Sequence, residues 1–352
     1  MTGLTEKNMR KIIERTLKLG SSFTQQDVDS KVKDSARWYV WDWNMGVAFY
    51  GICKACDALK DNNYKAQIRE WIDARIDNGI KVLCVNTCAP MTTVMQMYKL
   101  YGQDKYEKLC RDFDDYLINK LPKTPSGAFS HTVMKGNNEG QIWADTLFMS
   151  VIYLATRGIQ TGHRSFTEEA LKQLSIHLVN LLDIDTGLFY HGWDDVAKKT
   201  LGIKWGRGNA WVTVSVIEIL DMLDFNYPRE GLLEILNCQL AALEKYQCSN
   251  GFWRTVIDES GTYEETSVTA GVSYGVLKGI RLGIISNKYM EMAQNGLEAV
   301  LSKIDEEGNV LGGSSGTPVK EDALAYNNIP CAVTPFTQGL TIMLLCEAAL
   351  SE

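Results

Sequence analysis

The sequence predicts an all-α fold: an (α/α)6 toroid of six inner and six outer helices, with short strands only in loops. Three observations predict it: a set of strongly apolar helical segments, amphipathic segments alternating with them, and a glycine-centred turn that recurs between helix pairs. The 352 residues are 45% hydrophobic, enough to bury a large core. Length alone would suggest two domains, but closed rings of this size run as one unit. The expectation is therefore a single catalytic domain over residues 1–352.

The opening "MTGLTEKNMRKIIERTLKLG" reads as a charged amphipathic helix and lacks the apolar run of a signal peptide. Six apolar segments then follow, starting at Trp43, Ala89, Ala144, Asn209, Thr266 and Phe336. Each is hydrophobic on most faces, as expected of an inner layer buried all round. Segments such as "KYEKLCRDFDDYLINKL" and "FTEEALKQLSIHLVNLL" carry one apolar stripe and suit the outer layer. Between pairs recur "PSGAFSH" at Gly127, "DTGLFYHGW" at Gly187, "SNGFWR" at Gly251 and "EEGNVLGG" at Gly308, spaced by 60, 64 and 57 residues. That period is longer than common solenoid repeats of about 34–47 residues and suits a two-helix hairpin plus a functional loop.

A net charge of -7 excludes a nucleic-acid surface, which would show basic stripes. No apolar run of about 18 residues suggests a membrane span. The nine cysteines form no compact disulfide framework. Cys53 and Cys56, with Cys84 and Cys88, can be drawn as a zinc site. Packing in an apolar helix accounts for the first pair better, so no metal or cofactor is expected, and the setting is expected to be cytoplasmic and reduced.

In an alternating ring, every inner helix points its N-terminus to one rim. There stand Trp41, Asp42 and Trp43; Asn86 and Thr87; Asp145; "KWGRGNAW", residues 204–211; and Glu265. Each alone reads as a helix cap. Together with His131, His191, Trp143, Trp193, Trp205 and Trp211 they suggest a carbohydrate cleft, with rings for the sugar face and amides and carboxylates for hydroxyls. Asp145, flanked by Trp143, Leu147 and Phe148, is expected to be desolvated and raised in pKa, as suits a proton donor. Arg207, with no neighbouring carboxylate in sequence, is expected to clamp a ligand carboxylate in a two-pronged contact. Asp194 and Asp195 read as loop caps.

At these residues the chain resembles the unsaturated rhamnogalacturonyl hydrolases, glycoside hydrolase family 105, and more distantly the unsaturated glucuronyl hydrolases. The likeness is carried by "IWADTLFM", "GLFYHGWD", "WGRGNAW" and "ETSVTAGVSYGVLKGIRLG", in order over most of the chain. It implies the same toroid and a substrate made by polysaccharide lyases, with a 4,5-unsaturated uronate at its end. It implies hydration of the vinyl ether, with Asp145 as the group that protonates C4, and no cofactor. It implies substrate contacts from Trp43, His131, His191, Trp205, Arg207 and Trp211. One departure stands out: Asn86 occupies a place where the family pattern carries a second aspartate. Either Asp145 alone moves protons while Asn86 positions water, or the substrate has shifted or activity has been lost. Alternatives keep the ring and change the chemistry: an epimerase using His131 and His191, an inverting glycosidase using Glu265 or Asp42, or a sugar-binding protein without turnover.

Overall fold

The computed structural model describes residues 3–133, 137–223 and 229–351. Twelve long helices alternate between two layers among these residues. The outer ones are α1 (Gly3–Gly20), α3 (Asn63–Asp77), α5 (Asp104–Asp115), α7 (Arg164–Leu181), α9 (Glu230–Tyr246) and α11 (Met290–Leu301). The inner ones are α2 (Trp43–Leu59), α4 (Met91–Tyr101), α6 (Ile152–Thr161), α8 (Gly206–Met222), α10 (Thr266–Arg281) and α12 (Pro335–Leu350). The predicted six-over-six toroid is the observed fold.

Inner and outer helices differ in what they bury. Every residue of α12 from Pro335 to Ala349 is buried, while α1 buries a stripe of Met9, Ile12, Ile13 and Leu17. The ring closes where α12 packs on α2. A Cβ on Gly51 would lie 2.4 Å from the Gly339 carbonyl oxygen, and one on Gly339 would lie 2.6 Å from that of Val47. No other residue permits backbones to approach this closely. Across the centre, Glu218 of α8 accepts from Tyr50 of α2 and from Tyr274 and Lys278 of α10. This buried group has every partner it needs and ties three inner helices together.

All four turn glycines lie in the left-handed region, at φ +85° (Gly127), +79° (Gly187), +86° (Gly251) and +84° (Gly308). Each turn reverses the chain as it leaves an outer helix, and bridges such as Lys123–Phe129, Leu182–Phe189 and Ile304–Val310 hold the reversal. Side-chain amides then fix the turns to the helices. Phe129 N–H donates to Gln173, Phe189 N–H to Asn209 and Val310 N–H to Gln338. Asn209 also donates back to the Phe189 carbonyl at 2.9 Å, so the carboxamide of "GRGNAW" is structural.

Among the described residues, short strands occur only in the rim loops: β1 (Gln141–Trp143), β2 (Gly192–Asp194) and β3 (Lys199–Leu201) in one antiparallel sheet, and β4 (Trp253–Arg254) with β5 (Glu264–Glu265). The third inner helix departs from a regular α-helix. A π-helical turn, Leu147–Val151, stands between Asp145 and α6. The four cysteines considered for zinc are buried free thiols, and among the described residues no three His, Cys, Asp or Glu side chains gather as metal ligands. Among those residues, too, no helix is long and apolar enough to cross a membrane.

The turn geometry makes a graded prediction. Alanine at 251 or 187 must adopt a left-handed conformation and push its Cβ into a carbonyl oxygen, of Asn295 at 2.2 Å or Cys238 at 2.6 Å. At 127 the Cβ meets only flexible side-chain ends, of Lys172 at 3.6 Å and Ile176 at 4.0 Å. Urea unfolding should show Gly127→Ala costing about 1–2 kcal/mol from conformation alone, and Gly251→Ala and Gly187→Ala costing more. Equal losses at all three positions would contradict the packing described.

Candidate active site

The rim sheet assembles the site. Trp143 of β1 stands opposite Gly192 of β2, and the Ala144 N–H donates to the His191 carbonyl at 3.1 Å. The residues flanking this register, Asp145 and His191, therefore meet, with Asp145 Oδ2 3.5 Å from His191 Nε2. Both atoms are covered and neither has a closer protein partner, while the Asp145 side chain keeps 15% of its exposure.

Stacked rings enclose the pair. His131 lies parallel to Trp143 with centroids 4.5 Å apart, and Trp143 meets His191 edge-on at 5.1 Å. His191 in turn stacks on Trp205 at 4.1 Å, and the Arg207 guanidinium sits 4.6 Å over both Trp205 and Phe336. Trp43 stacks on Phe336 at 4.6 Å and meets Trp211 edge-on at 6.5 Å. One continuous aromatic wall thus connects the predicted residues Trp43, His131, Asp145, His191, Trp205, Arg207 and Trp211.

The Tyr326 hydroxyl accepts from the Lys320 N–H at 3.2 Å and lies 2.7 Å from His191 Nδ1. With the hydroxyl as donor to Nδ1, the ring's proton sits on Nε2, facing Asp145. Burial pushes both histidines down, His131 to about 4, so both are neutral near pH 7. Burial also pushes the Asp145 carboxyl up, but His191, His131 and Arg207 together outweigh it and hold Asp145 below the usual aspartate range. The expected raised pKa is thereby corrected: in the unliganded protein Asp145 is a carboxylate.

Three further expectations change. Trp205 and Trp211 have at most 1% exposure, so neither offers an open face to a sugar; they back the wall from behind. Trp43 is the half-buried ring. Arg207 is equally buried, and its Nη atoms are occupied by Ser267, Ser314, the Ser315 carbonyl and Thr317. Glu265 lies 3.7 Å from it. The Arg207 Nε, also buried, has no partner among the described residues, so at most one N–H and not a two-pronged edge is left for a ligand. Arg207 instead pins the 314–317 loop over the inner helices, and Gly316 of that loop passes beside Trp43.

Glu265 itself caps α10 through the Val268 N–H and accepts from Ser267 and the Ser314 N–H, so its carboxylate is fully engaged. Asp194 and Asp195 cap loops as expected; Asp195 holds the Ser126 N–H, Trp193 and Lys198. Tyr326 and Ser314 had no sequence signal, since each lies more than 100 residues from its partner.

Asn86 lies on the rim beside the aromatic wall rather than within it. It lines, with Asp42, Trp41, Tyr39 and Arg75, a cavity of about 890 Å3. The cavity borders the aromatic wall through the Val85 N–H, which donates to the carbonyl of Thr132, the residue after His131. Burial pushes the Asp42 carboxyl up to about 6.

With this geometry in hand, the comparisons with known proteins are decisive. The sequence model described as Glycosyl Hydrolase Family 88 matches residues 17–351. The chain belongs to that family. The family 88 chain is 30% identical over 314 residues, 88% of its length and 90% of the relative's, to the unsaturated rhamnogalacturonyl hydrolase YesR of Bacillus subtilis (strain 168). It matches the crystal structure of a possible member of glycoside hydrolase family 105 from Klebsiella pneumoniae subsp. pneumoniae with a TM-score of 0.91 and 29% identity, over 99% of this chain and 94% of that one. A possible member of the same family from Salmonella enterica subsp. enterica serovar Paratyphi A matches equally, at TM-score 0.91 and 30% identity, over 98% and 94%. The family 88 chain is a glycoside hydrolase.

The depressed His131 pKa has a stability signature. Between pH 6.5 and about 4 the unfolded chain takes up a proton that native His131 refuses, so stability falls as pH falls through that window. Urea unfolding at pH 5.5 and 4.5 should show the wild type losing about 1.4 kcal/mol per pH unit more than His131→Gln. Identical slopes would mean that the ring protonates in place.

Proposed function

We propose that this enzyme releases the terminal 4,5-unsaturated uronic acid from lyase-generated oligosaccharides, unsaturated rhamnogalacturonan fragments first among them. The observation that carries the proposal is the pairing of one proton-transferring carboxylate, Asp145, with a neutral His191 at 3.5 Å inside an aromatic wall. The likeness to YesR, a hydrolase of unsaturated rhamnogalacturonyl groups by name, supports the substrate class. An ordinary glycosidase needs two carboxyl groups across the scissile bond. Glu265 is fully engaged as a cap, Asn86 cannot take a proton, and Asp42 lines the cavity beside Asn86, not the aromatic wall around Asp145.

In the proposed reaction the unsaturated uronate sits against Trp43. Its own carboxylate, and the water it expels, push the Asp145 carboxyl up, so binding loads the proton that the free enzyme lacks. Asp145 gives that proton to C4, and the π electrons of C4=C5 form the new C–H bond. Positive charge develops at C5 and is shared with the ring oxygen. Water adds at C5 and returns a proton to Asp145, with Asn86 orienting water or a hydroxyl. The C5 hemiketal opens to a ketone, and C1, now a hemiacetal, expels the aglycone alcohol. One water is consumed. The Nε2–H of His191 steadies the Asp145 carboxylate at both ends of this cycle.

His131 and Trp143 complete the wall, while Trp205, Trp211 and Arg207 position it from behind. We further propose that residues 1–352 act as one catalytic domain and that the nine free thiols reflect a reduced, cytoplasmic setting.

Unsaturated rhamnogalacturonan fragments supply the test, with the ultraviolet absorbance of the conjugated double bond as the signal. Wild type should remove it, and Asp145→Asn should lower kcat by about 10²–10⁴-fold. Turnover undiminished in the variant would remove Asp145 from the chemistry.

A further inference from the structure

The cavity beside Asn86 contains a cation that the proposed reaction does not use. Arg75, on the outer helix α3, lies with its guanidinium 4.2 Å over Tyr39 and 4.0 Å over Trp71. Its Nε donates to the Tyr39 carbonyl at 3.2 Å and its Nη1 to that of Trp71 at 3.3 Å. Among the described residues it pairs with no carboxylate, and burial, opposed only weakly by Tyr39, pushes it down to about 10. Asp29 and Asp42 line the same cavity, but neither pairs with this half-buried guanidinium, whose desolvation an arriving anion would offset. A second cation, Lys81, lines the same cavity.

The rest of the lining suits a saccharide. Tyr39 and the largely buried Trp41 bring aromatic edges to the lining, while Asn78, Asn86 and Asp42 offer partners for hydroxyls. The volume, about 890 Å3, is at the upper end of what ligand sites enclose and is ample for more than one sugar ring. Asn86 places one end of the cavity at the rim where the reaction is proposed, and Arg75 comes from the layer outside it.

We propose that this cavity is the site for the sugars beyond the cleaved bond, and that Arg75 selects an aglycone carrying an anionic group, a uronate carboxylate or a sulfate ester. The planar guanidinium, already packed on two rings and bonded to two carbonyls, presents its remaining N–H groups to a two-oxygen anion with little further loss of freedom. Arg75 is thus a specificity residue, remote from the bond that breaks. The assignment rests on the uronyl hydrolase reading for the identity of the ligand.

The test compares unsaturated oligosaccharides that share the terminal uronate and differ beyond it: a neutral aglycone, one bearing a uronate, and one bearing a sulfated sugar. Wild type should show a KM at least 10-fold lower for one acidic aglycone than for the neutral one, and the two acidic arms identify which anion is preferred. Arg75→Gln should abolish that difference while leaving kcat and the neutral substrate's KM unchanged; Arg75→Lys should keep part of it. Equal KM values in wild type, or a uniform loss on all substrates in Arg75→Gln, would overturn the assignment. Calorimetry with the saturated acidic and neutral oligosaccharides, which need no turnover, separates the two readings. Acidic ligand bound by wild type and released by Arg75→Gln keeps the anion site even if no double bond is consumed. No preference in binding or in KM rejects it even if the enzyme is active.

Discussion

Everything at this site depends on closing a ring of six helical hairpins. The first and last inner helices, α2 and α12, must touch, and they do so where Gly51 and Gly339 bring backbone against backbone. Closure by a closed alternation leaves no choice about polarity: each outer helix returns the chain, and each inner helix starts at the same rim. Residues far apart in sequence, such as Trp43, Asp145, Arg207 and Phe336, are delivered to one place by that topology. The buried Glu218 network ties α2, α8 and α10 together across the centre.

On this frame the rim concentrates ionisable groups that a core would exclude. Burial alone would neutralise all of them, and for His131 and His191 it prevails. It does not prevail for Asp145, because two imidazoles and Arg207 face it. The carboxylate is therefore stored in its charged form and is sensitive to one further negative charge. In the proposed reaction the substrate's own carboxylate supplies that charge. The same logic gives Arg207 and Glu265 their structural task. Each neutralises the other, and together they gather Ser267, Ser314 and the 314–317 loop around the wall.

The ring was legible in the sequence because its signals are local: apolar inner segments, amphipathic outer ones, and a left-handed glycine in four of the turns between them. The convergence of the rim residues followed from the topology, so Asp145, His131, His191 and Trp43 were found together. What sequence could not weigh was competition at short range. Asp145 among apolar neighbours reads as desolvated and raised, and only the fold sets His191 at 3.5 Å to reverse the shift. Arg207 has no carboxylate nearby in sequence, yet Glu265 and Ser314 reach it through the fold. Trp205 and Trp211 have the right chemistry for a sugar platform and the wrong depth. Asn86 and Arg75 show their shared cavity only once α3 packs against the rim.

The central claim is that one carboxyl, Asp145, adds a proton to carbon rather than to a leaving oxygen. Turnover in deuterium oxide, followed by proton and carbon NMR of the released uronate, tests it most directly. The account predicts deuterium at C4 and loss of the C4=C5 resonances in step with release of the aglycone. A released sugar that keeps its double bond and carries no deuterium at C4 would contradict it, and would place the chemistry at the glycosidic oxygen.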